Sequence, residues 1–180
     1  AARAEDFLTS SQRGRTSGIT KGAKVGRGGE SRAHSVLLAA LEAGEDAELL
    51  AVQDGARPLV TPDLIDAVAE QAAQRGAAAP AVPVKDTIKA VRSDGTVAET
   101  LDRSVLRAVQ TPQIFQRDLL KAALQAAIEG NIPVTDDCSA VERMGKRVYL
   151  VEGDEENLKI TTPVDLILAE AILRDREERR

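Results

Sequence analysis

Leu50–Pro58 reads LAVQDGARP, and the reading of this stretch decides the fold. Leu49, Leu50, Ala51 and Val52 form a short apolar run of the kind that makes a buried strand. The run breaks into Gln53, Asp54, Gly55, Ala56, Arg57 and Pro58, a turn bracketed by glycine and proline. An acid and a guanidinium close together at the carboxyl end of a strand stand where open α/β sheets hold ligands. Asp54 can take a hydroxyl or a metal ion, and the donor fork of Arg57 matches a phosphate. A capped turn with a local salt bridge accounts for the same residues, so the stretch by itself leaves both readings open.

The totals narrow the field. At 180 residues the chain has the size of one domain and can bury a real core. Its aromatic residues are Phe7, Phe115 and Tyr149, with no Trp, which argues against base stacking on nucleic acid. A net charge of −5 without a basic stripe argues against a phosphate-backbone binder, though a local Arg/Lys cluster can still hold a small phosphorylated ligand. Cys138 is the one cysteine and His34 the one histidine, which excludes an intramolecular disulfide and a cysteine zinc site. No apolar run approaches a membrane span and no secretory signal is visible. The expectation is a cytoplasmic chain with no nucleic-acid or membrane partner.

Residues 1–22 are poorly patterned and polar, a loop or weak helix, and Ala23–Gly26 allows a short strand. RGGESRAHSV, residues 27–36, leads into a helix with Ala33, Val36, Leu37, Ala40 and Leu41 inward and Gly44 at its end. Gly28 and Gly29 let the backbone approach a ligand, and the helix start offers N–H groups to an anion; a tight turn is the plainer alternative. No Gly-Lys-Ser/Thr follows, so this is not a P-loop. Thr61 and Pro62 open a helix running to about Gln74 and stopped by Gly76, with Leu64, Ile65, Val68 and Ala72 inward. Pro80 and Pro83 argue against a regular central strand over 77–84.

DTIKAV and VAET flank an Asp94-Gly95 turn as a hairpin with little to bury, expected to pack on something else, such as a second subunit. Residues 103–115 carry Arg103, Arg107, Gln110, Thr111 and Gln113, a dense donor set or a solvated loop. Arg117–Gly130 reads as a helix with Leu119, Leu120, Ala123, Leu124 and Ala127 inward. Thr135 is the expected N-cap of a further helix, with Asp136 and Asp137 in its first turn; acids there are more often caps than cation ligands. Val148–Val151 reads as a buried strand, followed by the ligand-type loop GDEENLKITTP. Thr162 and Pro163 open a last helix with Leu166, Leu168, Ala169, Ile172 and Leu173 inward, and RDREERR is a solvated charge run. Strands alternating with helices predict an α/β domain with a mostly parallel sheet, whose loops at 26–35, 53–58 and 152–161 converge at one edge.

The set GGESRAHSV, QDGARP, PVKDTIK, LDRSVLRAVQTPQIF, TDDCSAVE and VEGDEENLKITTPVDLILAE, in this order, resembles the 2-C-methyl-D-erythritol 4-phosphate cytidylyltransferases of the non-mevalonate isoprenoid pathway. The resemblance covers about residues 17–180. It implies a three-layer Rossmann-like nucleotidyltransferase fold with a protruding β-arm, here within a domain at 23–180 with the arm at about 84–106. It implies transfer of CMP from CTP to 2-C-methyl-D-erythritol 4-phosphate with release of pyrophosphate, and Mg²⁺ on the triphosphate. By position, Gly28, Gly29, Glu30 and Ser35 are implied nucleotide contacts, with Glu30 where the family often has Asp. Arg32, in the same segment, is a candidate structural residue. Asp54, Arg57, Thr87, Arg103, Thr111, Thr135 and Lys159 are implied substrate contacts; Arg103 and Lys159 are the catalytic pair, and Asp54 is the metal-side acid. In the family the hairpin is an arm that crosses to the second subunit, so a homodimer is implied in which Thr87, Arg103 and Thr111 complete the partner's site. The family opens with a buried strand and a Gly-rich loop carrying Arg and Lys around the triphosphate. No such segment is seen in these residues, and the expectation is an N-terminally truncated member. Two alternatives stay beside this one: a ribitol-5-phosphate cytidylyltransferase, and a non-catalytic remnant of the family.

Overall fold

Alternating local signals set the elements, and a computed structural model of the chain describes residues 26–179. The readings of 1–22 and of a strand beginning at Ala23 lie outside those residues. Helix α1 is Arg32–Leu41, strand β1 Leu49–Val52, helix α2 Pro62–Arg75 and strand β2 Ala77–Pro83. Strands β3, Lys89–Val91, and β4, Val97–Thr100, precede a 3-10 turn at Arg103–Val105. Strands β5, Arg107–Val109, and β6, Gln113–Gln116, lead to helices α3, Arg117–Glu129, and α4, Asp137–Arg143. Strand β7, Tyr149–Glu152, and helix α5, Pro163–Glu178, complete the order.

The chain divides into two compact units: the described residues up to Leu50 with Phe115–Arg147, and Ala51–Ile114 with 148–179. In the first unit α1 and α4 both pack on α3, whose Leu120, Ala123, Leu124 and Ala127 are buried. Arg32 donates from both terminal nitrogens to the two carboxylate oxygens of Asp137, at 2.9 and 2.6 Å. Asp137 is fully buried, so this bidentate pair balances a carboxylate removed from water and ties the start of α1 to the start of α4. Arg32 is therefore a structural residue of this unit. The helix cap is Asp136, not Thr135: Asp136 accepts from the Ser139 N–H at 2.9 Å in a reciprocal capping box.

The sheet has the order β1–β6–β2–β5 with β7 also on β2; β2, β5 and β7 belong to the second unit, and the unit boundary falls within β1 and β6. It is a mixed sheet: β7 runs parallel to β2 and β5 antiparallel. Pro80 and Pro83 argued against a regular central strand over 77–84, and the structure overturns that expectation. Ala77, Ala78 and Ala79 are fully buried, and the strand pairs with β7 from Ala78 onward. Pro80 accepts the Gln110 N–H at 2.8 Å but has no N–H to return, so the β2–β5 ladder stops there; on the β7 side its missing donor is not needed. Helix α2 covers β2 and β7, capped by Thr61 and stopped by Gly76 at φ 92°. Its Leu64, Val68 and Ala72 are buried as expected, while Ile65 is exposed at the edge of that stripe.

The β3–β4 hairpin forms its own two-stranded sheet around Gly95, with Asp94 accepting from Thr96 N–H and Oγ1–H at 2.9 and 2.7 Å. Residues 103–115 are not a loop throughout: 103–109 lie almost wholly at the surface, and 110–115 are buried. They form β5 and the start of β6, and Gln110, Thr111 and Gln113 are buried. β1 and β7 are half-buried rather than fully buried strands. In α1, Leu41 is exposed, lying past the point where Ala33 and Ala40 meet the unit. The expected inward face of α5 is also corrected. Leu166, Leu168 and Leu173 are exposed with Val164 and Ile167, and Ala169 alone is buried. Its apolar residues run around the whole helix, so no single stripe selects one face.

Candidate active site

Two local devices shape the loops after β1 and β7: a backbone turn at Asp54–Arg57 and the glycine at 153. Asp54 and Arg57 sit on the turn after β1, closed by the Arg57 N–H donating to the Asp54 carbonyl at 3.0 Å. The loop after β7 begins at Gly153, whose N–H donates to the Ala81 carbonyl at 2.9 Å. A Cβ there would lie 2.9 Å from the Ala81 backbone, so only glycine lets this loop leave β7 so close to β2. The loops then join: the Ile160 N–H donates to the Ala56 carbonyl at 2.8 Å, and Arg57 Nη1 to the Asn157 carbonyl at 2.7 Å.

Four of the expected residues meet here. Lys159 Nζ lies 2.9 Å from Asp54 Oδ2, and Arg57 Nε lies 3.8 Å from the same oxygen. Thr111 Oγ1 accepts the Asp54 N–H at 3.0 Å. The side chain of Lys159 is 47 % exposed, against 13 % for Arg57. Lys159 is thus the cation that can reach a ligand. Arg57 is turned inward, with Nη1 spent on a carbonyl and Nε buried without a hydrogen-bond partner. Burial pulls the Arg57 guanidinium below its ordinary pKa, and the Asp54 carboxylate opposes that shift. Both cations act on Oδ2 of Asp54, which leaves Oδ1 to accept a substrate hydroxyl or reach a metal ion. Among the described residues no cluster of three His, Cys, Asp or Glu side chains could hold a metal ion by itself. A single carboxylate is still the donor set expected of magnesium carried on a phosphate chain.

Thr87 and Arg103 lie on the exposed hairpin side of the second unit. Arg103 Nη1 donates to the Lys85 carbonyl at 2.5 Å, which orders the base of the arm. Thr135 belongs to the first unit, exposed, with its N–H donating to Ser139 Oγ at 3.2 Å.

The remaining expected residues, Gly28, Gly29, Glu30 and Ser35, are also in the first unit. Ser31 caps α1, accepting from the His34 N–H at 3.1 Å. Ser35 Oγ accepts the Gly29 N–H and donates to the Ser31 carbonyl, both at 2.9 Å, so it shapes the loop. A Cβ on Gly29 would fall 2.5 Å from the His34 ring, which fixes this position as glycine. Glu30 is exposed. Gly28 and Ser35 line a cavity of about 700 Å³ with Arg27, Leu38 and Glu42. Glu30 lines a second, of about 660 Å³, with Arg32, His34 and Asn131.

Sequence reasoning missed Asn157 and Arg176, and named Gln110 only as one of the donors of residues 103–115. Asn157 is fully buried between the two loops. Arg176, assigned to a solvated charge run, donates to Glu156 Oε2 at 2.8 Å and to the Leu59 carbonyl at 2.9 Å, clamping α5 onto both loops. The local signal for Asn157 was its place two residues before Lys159 in a loop already read as ligand-binding. Arg176 offered none, because its partners lie far away in sequence.

Comparison with known proteins bears on what these loops serve. The family model for 2-C-methyl-D-erythritol 4-phosphate cytidylyltransferase, IspD, matches residues 7–175. The chain is 48% identical over 151 residues to the 2-C-methyl-D-erythritol 4-phosphate cytidylyltransferase of Caldanaerobacter subterraneus subsp. tengcongensis, covering 84% of this chain and 66% of that protein. It thus spans just under two thirds of that curated relative's length. The crystal structure of 2-C-methyl-D-erythritol 4-phosphate cytidylyltransferase from Thermus thermophilus superposes with a TM-score of 0.74 at 37% identity, over 86% of this chain and 78% of that one. That of 4-diphosphocytidyl-2C-methyl-D-erythritol synthase from Anaerococcus prevotii gives a TM-score of 0.82 at 27% identity, over 96% and 76%. The α/β fold is that of these nucleotidyltransferases, and the chain belongs to the IspD family of 2-C-methyl-D-erythritol 4-phosphate cytidylyltransferases.

Proposed function

We propose that the chain carries its family's activity: CMP passes from CTP to 2-C-methyl-D-erythritol 4-phosphate, and pyrophosphate leaves. The observation that carries this reading is the Asp54–Lys159 pair at 2.9 Å, set on two joined loops and braced by Thr111 and Arg57. An oxygen of the acceptor phosphate attacks the α-phosphorus of CTP, and the bond from that phosphorus to the bridging oxygen breaks. Such a transfer needs positioning and charge neutralisation more than covalent help. Lys159 exchanges its contact with Asp54 for the acceptor phosphate and offsets its charge. Asp54 accepts from an acceptor hydroxyl through Oδ1. Arg57, held inward, keeps a positive charge beside Asp54 when Lys159 turns to the ligand. On the nucleotide side, the Gly28–Gly29 backbone, Glu30 and Ser35 are proposed to receive cytosine and ribose.

Mg²⁺ belongs to the proposal, held by Asp54 and the phosphate oxygens of CTP; when bound it supplies further neutralisation of the triphosphate. A homodimer through the β3–β4 arm is proposed on the arm's exposed Val91 and Val97 and its lack of a core of its own, with Thr87 and Arg103 serving the partner's site; Thr111, expected there too, is instead buried and holds the Asp54 N–H of its own chain. A cytoplasmic setting is proposed on the single cysteine, Cys138, which is buried. Among the described residues no helix is long and apolar enough to cross a membrane.

The test supplies CTP with 2-C-methyl-D-erythritol 4-phosphate and ribitol 5-phosphate together and identifies the product by mass. The cytidine-diphosphate-linked methylerythritol is expected. A preference for ribitol 5-phosphate, or no product with either, overturns the reading.

A further inference from the structure

We infer that Asn157 is a positioning residue of the acceptor site, setting the geometry of Asp54, Arg57 and Lys159 without touching substrate. The inference rests on the functional reading above and assigns a residue that reading does not use. Asn157 is fully buried, and its side chain reaches the end of the β5 strand: Nδ2 donates to the Thr111 carbonyl at 2.9 Å and lies 3.4 Å from Gln110 Oε1. Gln110 in turn donates to the Asp154 carbonyl at 2.8 Å, so residues 110–111 and the 153–159 loop are locked together from both sides. Thr111 passes that order on, because its hydroxyl accepts the Asp54 N–H at 3.0 Å. The carbonyl of Asn157 receives Arg57 Nη1 at 2.7 Å. Lys159 follows two residues later and meets Asp54 at 2.9 Å. One residue thus touches the support of every charged group in the cluster.

Stability alone does not select this residue. Asn157 Oδ1 is buried without a hydrogen-bond partner, an arrangement that an apolar side chain of similar size avoids. What an apolar side chain cannot supply is the donor to Thr111. The directional bond, not the filled volume, is the function of the amide.

The experiment measures the affinity of the full chain for 2-C-methyl-D-erythritol 4-phosphate by calorimetry, at a temperature where thermal melts show each variant folded. Asn157→Ala and Thr111→Val are each expected to weaken binding about tenfold, and the double variant about tenfold as well, because both cut the same chain of bonds to Asp54. A merely structural Asn157 instead lowers the thermal midpoint and leaves the affinity of the folded protein intact, or multiplies with Thr111→Val to about a hundredfold. Either result overturns the inference. Should Asn157→Ala not fold, Gln110→Met takes its place: it removes the lock on Asp154 and Asn157, and a loss of severalfold supports the inference while unchanged affinity overturns it. A wild-type chain that does not bind the alcohol phosphate overturns the functional reading itself, and the inference with it.

Discussion

Asp54 draws its meaning from its partners. One oxygen faces Lys159 at 2.9 Å and Arg57 at 3.8 Å, so one carboxylate stands against two cations and the cluster is net positive before a ligand arrives. In the proposed reaction an entering phosphate competes with Asp54 for Lys159, and the inward-turned Arg57 stays behind as the second cation. Asp165 shows the same economy at a helix start. Its Oδ2 accepts from the Thr161 and Thr162 N–H groups at 2.9 and 2.7 Å and from Thr162 Oγ1 at 2.9 Å. These bonds, the Thr161 backbone first, hold its carboxyl below the usual carboxylate range. A folded-state pKa below the unfolded one contributes stability above the unfolded value, lost as pH falls through the folded value. Asp165→Asn is therefore expected to lower the thermal midpoint above about pH 5, and the gap to wild type to close toward about pH 2. A gap that stays constant with pH would show that the charge plays no part.

At the scale of elements, the loop after β7 is set by how closely it passes β2. Gly153→Ala places a methyl 2.9 Å from the Ala81 backbone and 2.8 Å from Gln110 Oε1. Since backbone cannot move aside, a loss of about 1–3 kcal/mol is expected in a denaturant titration. Acceptor binding should weaken with it, because Asn157 and Lys159 lie on the displaced loop.

The same scale shows what the sequence could and could not tell. Caps are local, so Thr61-Pro62, Thr162-Pro163 and Asp94-Gly95 were legible from neighbouring residues. The cost of Pro80 depends on which strand edge its nitrogen faces, a fact of pairing with strands distant in sequence, and local reading placed it wrongly. The α5 residues show apolar character, but no periodicity says what a face will meet. In the site, Asp54 and Arg57 stood out because charged residues after a strand end are the visible mark of a ligand loop, whereas Lys159 was singled out only by the family resemblance of its loop. Asn157 and Arg176 did not, because each acts through partners 20 to 117 residues away.

At the scale of the whole molecule, the β3–β4 arm has a different status from the rest. Its Val91 is 66 % and its Val97 51 % exposed, and it pairs only within itself. Replacing residues 88–101 by a short Gly-Ser linker is expected to leave a folded monomer in sedimentation experiments, and the full chain is expected to sediment as a dimer. A monomeric full chain would remove the arm from the proposed mechanism.

The loops after β1 and β7 in the second unit are proposed to form the site for an acceptor phosphate, with Lys159 as its exposed cation. Calorimetric titration of 2-C-methyl-D-erythritol 4-phosphate into the wild-type chain and Lys159→Ala tests it most directly. Loss of one charge-assisted bond to phosphate predicts about 10- to 100-fold weaker binding by the variant with an unchanged thermal midpoint. Equal affinity of the two proteins would contradict the assignment.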